Sequence, residues 1–99
     1  GVTDAVKMDI SQILYYLKRY GESAKEAQAV IDDLSVKALS DRGYRLLTLN
    51  YDYLMKDYEA QAKNEEVRRV CNEAIEKIPN DKDKENFVKK LKELNSVPK

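Results

Sequence analysis

Apolar residues recur along this chain at spacings of three and four, and clusters of turn residues interrupt them four times. Val6, Ile10, Ile13, Leu14 and Leu17 fall on one helical face. Thr3 or Asp4 can cap them, Lys18 and Arg19 suit the negative end of the helix dipole, and Gly21 fits a C′ stop. The pattern predicts a first helix over about 4–20, with the cluster Ile13-Leu14-Tyr15-Tyr16-Leu17 as core. Ser23-Ala24-Lys25-Glu26 has capping-box spacing, and Ala27, Val30, Ile31, Leu34 and Ala38 follow, predicting a second helix over about 24–39. After the turn Ser40-Asp41-Arg42-Gly43, Leu47, Tyr51, Leu54, Tyr58 and Ala62 form a stripe that Tyr44, Leu46 and Met55 widen, a third helix over about 43–62.

Asn64 can cap a fourth helix with Glu65 and Glu66 at its positive end. Its buried face is Val67, Val70, Cys71, Ala74, Ile75 and Ile78, and Pro79-Asn80 ends it. A shorter fifth segment opens at Asp81 and Asp83, carries Phe87, Val88, Leu91 and Leu94, and closes at Asn95 and Pro98. No strand-like alternation intervenes. Short links between amphipathic helices make antiparallel neighbours. The chain therefore reads as all-α: an up-down-up-down four-helix bundle over residues 1–80, then a short C-terminal helix and tail over 81–99, packed across one end or loose.

Composition narrows the chemistry. The chain has 99 residues, enough for one small domain, with 18 basic residues balancing 18 acidic ones, one Cys, seven Tyr and no His or Trp. Zero net charge argues against bulk binding to nucleic acid. Without His there is no histidine triad, no histidine base and no Cys/His zinc site. No apolar run approaches the roughly 20 residues that span a bilayer. The chain opens Gly1-Val2-Thr3, which fits either removal of a targeting peptide or trimming.

Asp81-Lys82-Asp83-Lys84-Glu85 resembles the start of an EF-hand loop, but the Gly and bidentate Glu that calcium needs are replaced by Asn86 and Lys92. Asp32-Asp33 and Glu65-Glu66 are helix neighbours pointing about 100° apart, so neither pair converges on a substrate. Cys71 on the apolar stripe reads as an inert core thiol. These residues predict a non-enzyme without cofactor or metal.

The features left over suit protein contacts. Tyr15, Tyr16 and Tyr20 crowd the end of the first helix and cannot all face inward. Tyr16, and Tyr53 off the third-helix stripe, are interface candidates. Basic pairs recur at Lys18-Arg19, Arg68-Arg69 and Lys89-Lys90, with Lys92 beyond. Charge runs from −2 over residues 1–41 to +2 over 81–99, so the C-terminal segment can steer docking onto an acidic surface.

Two resemblances bear on identity. Tyr51, Leu54, Tyr58, Ala74 and Pro79 resemble the spacing of a tetratricopeptide repeat, with Met55 where that repeat has Gly. A step of 34 residues backward meets Asp33, Lys37, Ser40 and Arg45 in its second half, and a step forward meets Glu85 and Lys89, so no second copy follows. This resemblance implies a helical adaptor or secreted protein-binding module.

The third helix resembles the PsbQ-like extrinsic proteins of photosystem II, in a divergent algal form. Arg45, Leu49, Tyr51 and Asp52 within Arg45-Leu46-Leu47-Thr48-Leu49-Asn50-Tyr51-Asp52-Tyr53-Leu54 match that family's helix signature without a gap. The Lys/Glu-rich turn Ala62-Lys63-Asn64-Glu65-Glu66 and the pair Ala74-Ile75 follow. The resemblance implies a monomeric, non-catalytic protein of the chloroplast thylakoid lumen, peripheral on the thylakoid membrane. Its partners would be membrane-embedded photosystem II subunits and other extrinsic proteins. There it would support oxygen evolution by shielding the manganese cluster and helping retain calcium and chloride, without ligating the cluster or inserting into the membrane. Lys18, Arg19, Arg68, Arg69, Lys89, Lys90 and Lys92, with Tyr16 or Tyr53, are the expected contact residues.

Overall fold

A computed structural model describes residues 12–35 and 39–96. It is all-helical over these residues: α1 at 12–16, α2 (Tyr20–Ser35), α3 (Asp41–Ala60), α4 (Asn64–Lys77) and α5 (Asp81–Ser96). The expected caps Thr3 and Asp4, the apolar Val6, Ile10 and Ala38, and Pro98 lie outside the described residues.

The first turn is not made by glycine. Gly21 lies inside α2, and the chain breaks at Lys18, whose φ is 61°. The Arg19 N–H donates to the Leu14 carbonyl and the Lys18 N–H to the Tyr15 carbonyl, both at 2.9 Å. This is the paired 6→1 and 5→2 bonding of a Schellman motif, with a lysine where glycine is usual. The same device ends α3. Ala62 takes φ 58°, the Lys63 N–H reaches the Tyr58 carbonyl at 2.9 Å, and the Ala62 N–H reaches the Glu59 carbonyl at 3.0 Å. In both places the next helix starts within two residues.

Several sequence expectations are corrected here. Because α2 begins at Tyr20, Ser23 is a buried residue within its first turns rather than an N-cap. Ile13 and Leu17 are 58% and 61% exposed, so the periodicity of the first helix does not mark a core face there. Ala62 is spent on the turn and is exposed. Lys63 occupies the N-cap of α4 without a side-chain bond, and Asn64 is already helical. The fifth helix is not short: it has 16 residues, equal to α2, and Asn95 lies within it. Asn80 initiates it, its Oδ1 accepting from the Lys82 N–H at 2.9 Å. Ser40 caps α3, accepting from the Gly43 N–H at 3.3 Å.

Extensive packing joins each long helix to the next, α2 to α3, α3 to α4 and α4 to α5. Two stripes of α3 explain this. Leu47, Asn50, Leu54 and Asp57, spaced three and four apart, are buried in line on the side of α2, which includes Ala24, Ala27, Val30, Ile31 and Leu34 in the core. Tyr51 and Met55 form the other stripe and meet α4, where the Cys71 Sγ lies 3.5 Å from the Met55 Sδ. Phe87 of α5 stands edge-on to Tyr51, ring centroids 6.4 Å apart, and joins the same core. Burying a side chain of this size is worth about 1.5–3 kcal/mol, which adds to the packing of α5 on α4.

Candidate functional site

A groove runs between α3 and α5. At one end Tyr44, Arg45, Thr48 and Leu49 of α3 face Pro79, Asn80 and Asp83 across a concavity of about 760 Å³. At the other, Asp52, Lys56 and Glu59 face Asn86, Lys89, Lys90 and Glu93 around a second concavity. Helical spacing produces this wall. Positions 45, 49, 52, 56 and 59 recur at three and four, away from the buried stripes of α3. Leu49 is 43% exposed in the middle of it. An open Leu flanked by Arg45 and Asp52 can anchor an apolar side chain from outside.

Ion pairs fix the second half. The Lys56 Nζ bonds the Asp52 carboxylate at 2.9 Å, and that bond pushes the lysine pKa up. Lys90 reaches across the groove to Glu59 and one turn forward on α5 to Glu93 at 3.2 Å; the hydrogen bond it donates to Glu59 is the main reason its pKa is raised. Asp52, Glu59 and Glu93 are thus engaged by lysines, which shapes a mixed-charge rim around the apolar position. Such a rim gives orientation and on-rate to a protein contact.

The anticipated contact residues distribute unevenly. Lys89 and Lys90 line the groove, and Lys92 is exposed further along α5. Tyr53 lies beside the groove. Its ring is 5.7 Å from that of Tyr15, the Lys56 Nζ sits 5.8 Å from its centroid, and burial pushes its phenol pKa up. Tyr15 also meets Tyr20 and Tyr16, so four tyrosines form one cluster, at whose edge Tyr16 is 72% exposed. Lys18 and Arg19 are at the α1–α2 turn, where Arg19 pairs with Glu22. Arg68 and Arg69 are on α4, bonded to Glu65 and Glu66 one turn back, and do not line the groove.

Sequence reading passed over Leu49 and Arg45 as site residues. Their signal was present: Leu49, Tyr53 and Lys56 share a face that the core stripe through Leu47, Tyr51 and Leu54 does not use. It also passed over Asp57, a wholly buried acid in line with Leu47 and Leu54. No family model, no curated protein and no solved structure matches the chain.

Proposed function

We propose that this chain is a non-catalytic helical docking protein whose α3–α5 groove receives an acidic amphipathic helix of a partner protein. The observation that carries this is Leu49, an apolar side chain left open in a groove. Lys89 on the α5 wall suits an acidic position of the incoming helix, and an apolar anchor covers Leu49, a helix-in-groove contact. The fold that builds it is an antiparallel, up-down run of helices. This is supported by the three-residue links after α3 and α4. It is also supported by the pairing of the first turns of α3 and α5 at one end of the groove and of Glu59 with Lys90 at the other. Titrating the ¹⁵N-labelled protein with a panel of acidic amphipathic helical peptides tests the reading. Amide shifts should concentrate at Arg45, Leu49, Lys89 and Lys90 and vanish in Leu49→Glu. A panel that moves none of these amides, or moves them equally in the variant, refutes it.

A narrower reading names the partner. Of the four residues that carry the PsbQ-like resemblance, Arg45, Leu49 and Asp52 line the groove, while Tyr51 is in the core. On this reading the groove docks on the lumenal face of photosystem II, from the thylakoid lumen, and the bound protein helps shield the manganese cluster and retain calcium and chloride. Salt-washed photosystem II membranes should rebind the protein at low ionic strength and regain oxygen evolution. Absence of rebinding removes this partner and leaves the groove to the peptide experiment.

A further inference from the structure

The seam between α2 and α3 holds the least compensated chemistry among the described residues. Asp57 and Asn50 lie seven residues apart on the α3 face that meets α2, and both are 0% exposed. Neither Asp57 carboxyl oxygen has a hydrogen bond of good geometry, and the Asn50 Oδ1 has none either, its amide being used on the Leu46 carbonyl at 2.8 Å. From α2, Ser23 is buried against Asp57, and its hydroxyl acts on the carboxyl. No charged side chain of α2, α3 or α4 among the described residues contributes to that carboxyl's ionisation. Arg19 and Glu22 near Ser23 are exposed and pair with each other, Lys56 is on Asp52, and Arg69 is on Glu66. A buried polar group in this state tolerates its neutral form far better than its charged form.

The placement matters as much as the burial. Asp57 is one turn from the Schellman end of α3, where its own carbonyl accepts the Gln61 N–H at 3.2 Å. The extensive contacts of α2 with the other long helices run to α3 alone, whereas α3 is also held by α4 and, through Phe87, by α5. A change at Asp57 therefore acts on the main interface between α2 and the other long helices, and α2 can part from α3 while α3, α4 and α5 stay packed.

We propose that Asp57 is a proton-operated latch on α2: protonated, it lets α2 close on α3 through Ser23, and ionised, it favours separation of α2 from α3. The carboxyl takes its proton from water and returns it there. Desolvation pushes its pKa up to about 7 from the ordinary 3.8, with Ser23 opposing. In the opened state the carboxyl is in water and ionises at its ordinary value. The opening equilibrium then grows with pH up to the closed-state value and levels off above it. Those two values give a rise in opening of about tenfold between pH 6 and pH 8.

Amide hydrogen exchange, corrected for the intrinsic pH dependence, reads this directly. Protection in α2 should fall about tenfold from pH 6 to pH 8, should lie at every pH below that of α4 and α5, which open only with the whole fold, and Asp57→Asn should abolish the change in α2. A ¹³C titration of the Asp57 carboxyl in the unmodified protein covers the case in which Asp57→Asn does not fold, and it should give a midpoint near neutrality. Ser23→Ala should move that midpoint upward. A carboxyl that titrates in the ordinary range overturns the proposal. So does an α2 protection loss that persists in Asp57→Asn, or a level of protection in α2 equal to that of α4 and α5.

Discussion

The Tyr51 hydroxyl in α3 donates a hydrogen bond to the Glu73 carboxylate in α4 at 2.9 Å, from a ring that is wholly buried. Burial and the nearby Glu73 charge both drive the phenol pKa well upward, so it stays a donor across the accessible pH range. The ring also meets Phe87 of α5 edge-on. One side chain therefore ties three helices. Tyr51→Phe keeps the rings together and removes only the bond to a charged acceptor, a loss of about 1.5–3 kcal/mol in urea unfolding. Tyr51→Ala removes the ring as well and should cost about 3–5 kcal/mol. Equal losses in the two variants would mean that the ring contributes nothing.

Lys18 and Ala62 hold left-handed backbone at the two Schellman turns. A Cβ disfavours that conformation by roughly 1–2 kcal/mol, and glycine removes the penalty while adding freedom to the unfolded chain. Lys18→Gly and Ala62→Gly should each raise stability by about 0.5–1 kcal/mol, measured by thermal or urea unfolding. Ala62→Val at the same position should destabilise. A loss of stability in both glycine variants would contradict the φ assignments.

The helices were legible in the sequence because long amphipathic stripes have few other solutions, and the core of α3 and α4 followed from spacing. What escaped was set by tertiary contact. Gly21 looked like a stop, yet the Schellman turn falls three residues earlier on Lys18, where the Arg19 and Lys18 N–H groups close it onto the Leu14 and Tyr15 carbonyls. Ser23 has the local pattern of a cap and is instead the partner that Asp57 meets across a helix seam. Ile13 and Leu17 keep helical periodicity and are exposed all the same. The groove was half legible. Leu49 stands off the core stripe in plain view, but only the packing of α5, longer than its spacing suggested, makes a wall opposite it.

Two leucines five residues apart separate structure from docking. Leu54 is 0% exposed and Leu49 is 43% exposed. Leu54→Ala should cost about 2–5 kcal/mol of stability. Leu49→Ala should change stability by under about 0.5 kcal/mol while weakening the binding of an acidic amphipathic peptide. A calorimetric titration and an unfolding curve on the same two variants check both halves, and a large stability loss in Leu49→Ala would move that residue into the core.

Cys71 should resist thiol reagents while the protein is folded. It is 0% exposed, sits against Met55, and burial pushes its thiol up to about 11. The thiolate that reacts is therefore scarce as well as covered. Modification by an aromatic disulfide reagent should be slow in buffer and rapid in denaturant. A fast native reaction would place Cys71 at the surface.

Asp57 also fixes how global stability depends on pH. Its native carboxyl is raised to about 7, while the unfolded one titrates near 3.8. Between these values the native state keeps a proton that the unfolded state has lost. Unfolding then releases a proton, and stability falls as pH rises, by at most about 1.4 kcal/mol per pH unit. The contribution is full below the unfolded value and is lost once pH has passed the native one. Urea unfolding should show stability falling by about 2–3 kcal/mol from pH 5 to pH 8 and levelling above that. Surface carboxylates paired with lysine, such as Asp52 with Lys56, act in the opposite direction at lower pH. The informative quantity is therefore the difference between the unmodified protein and Asp57→Asn. That difference should slope across the neutral range. A difference that stays constant from pH 5 to pH 8 would mean that Asp57 is already ionised in the native fold, and that α3 carries a buried charge rather than a buried acid.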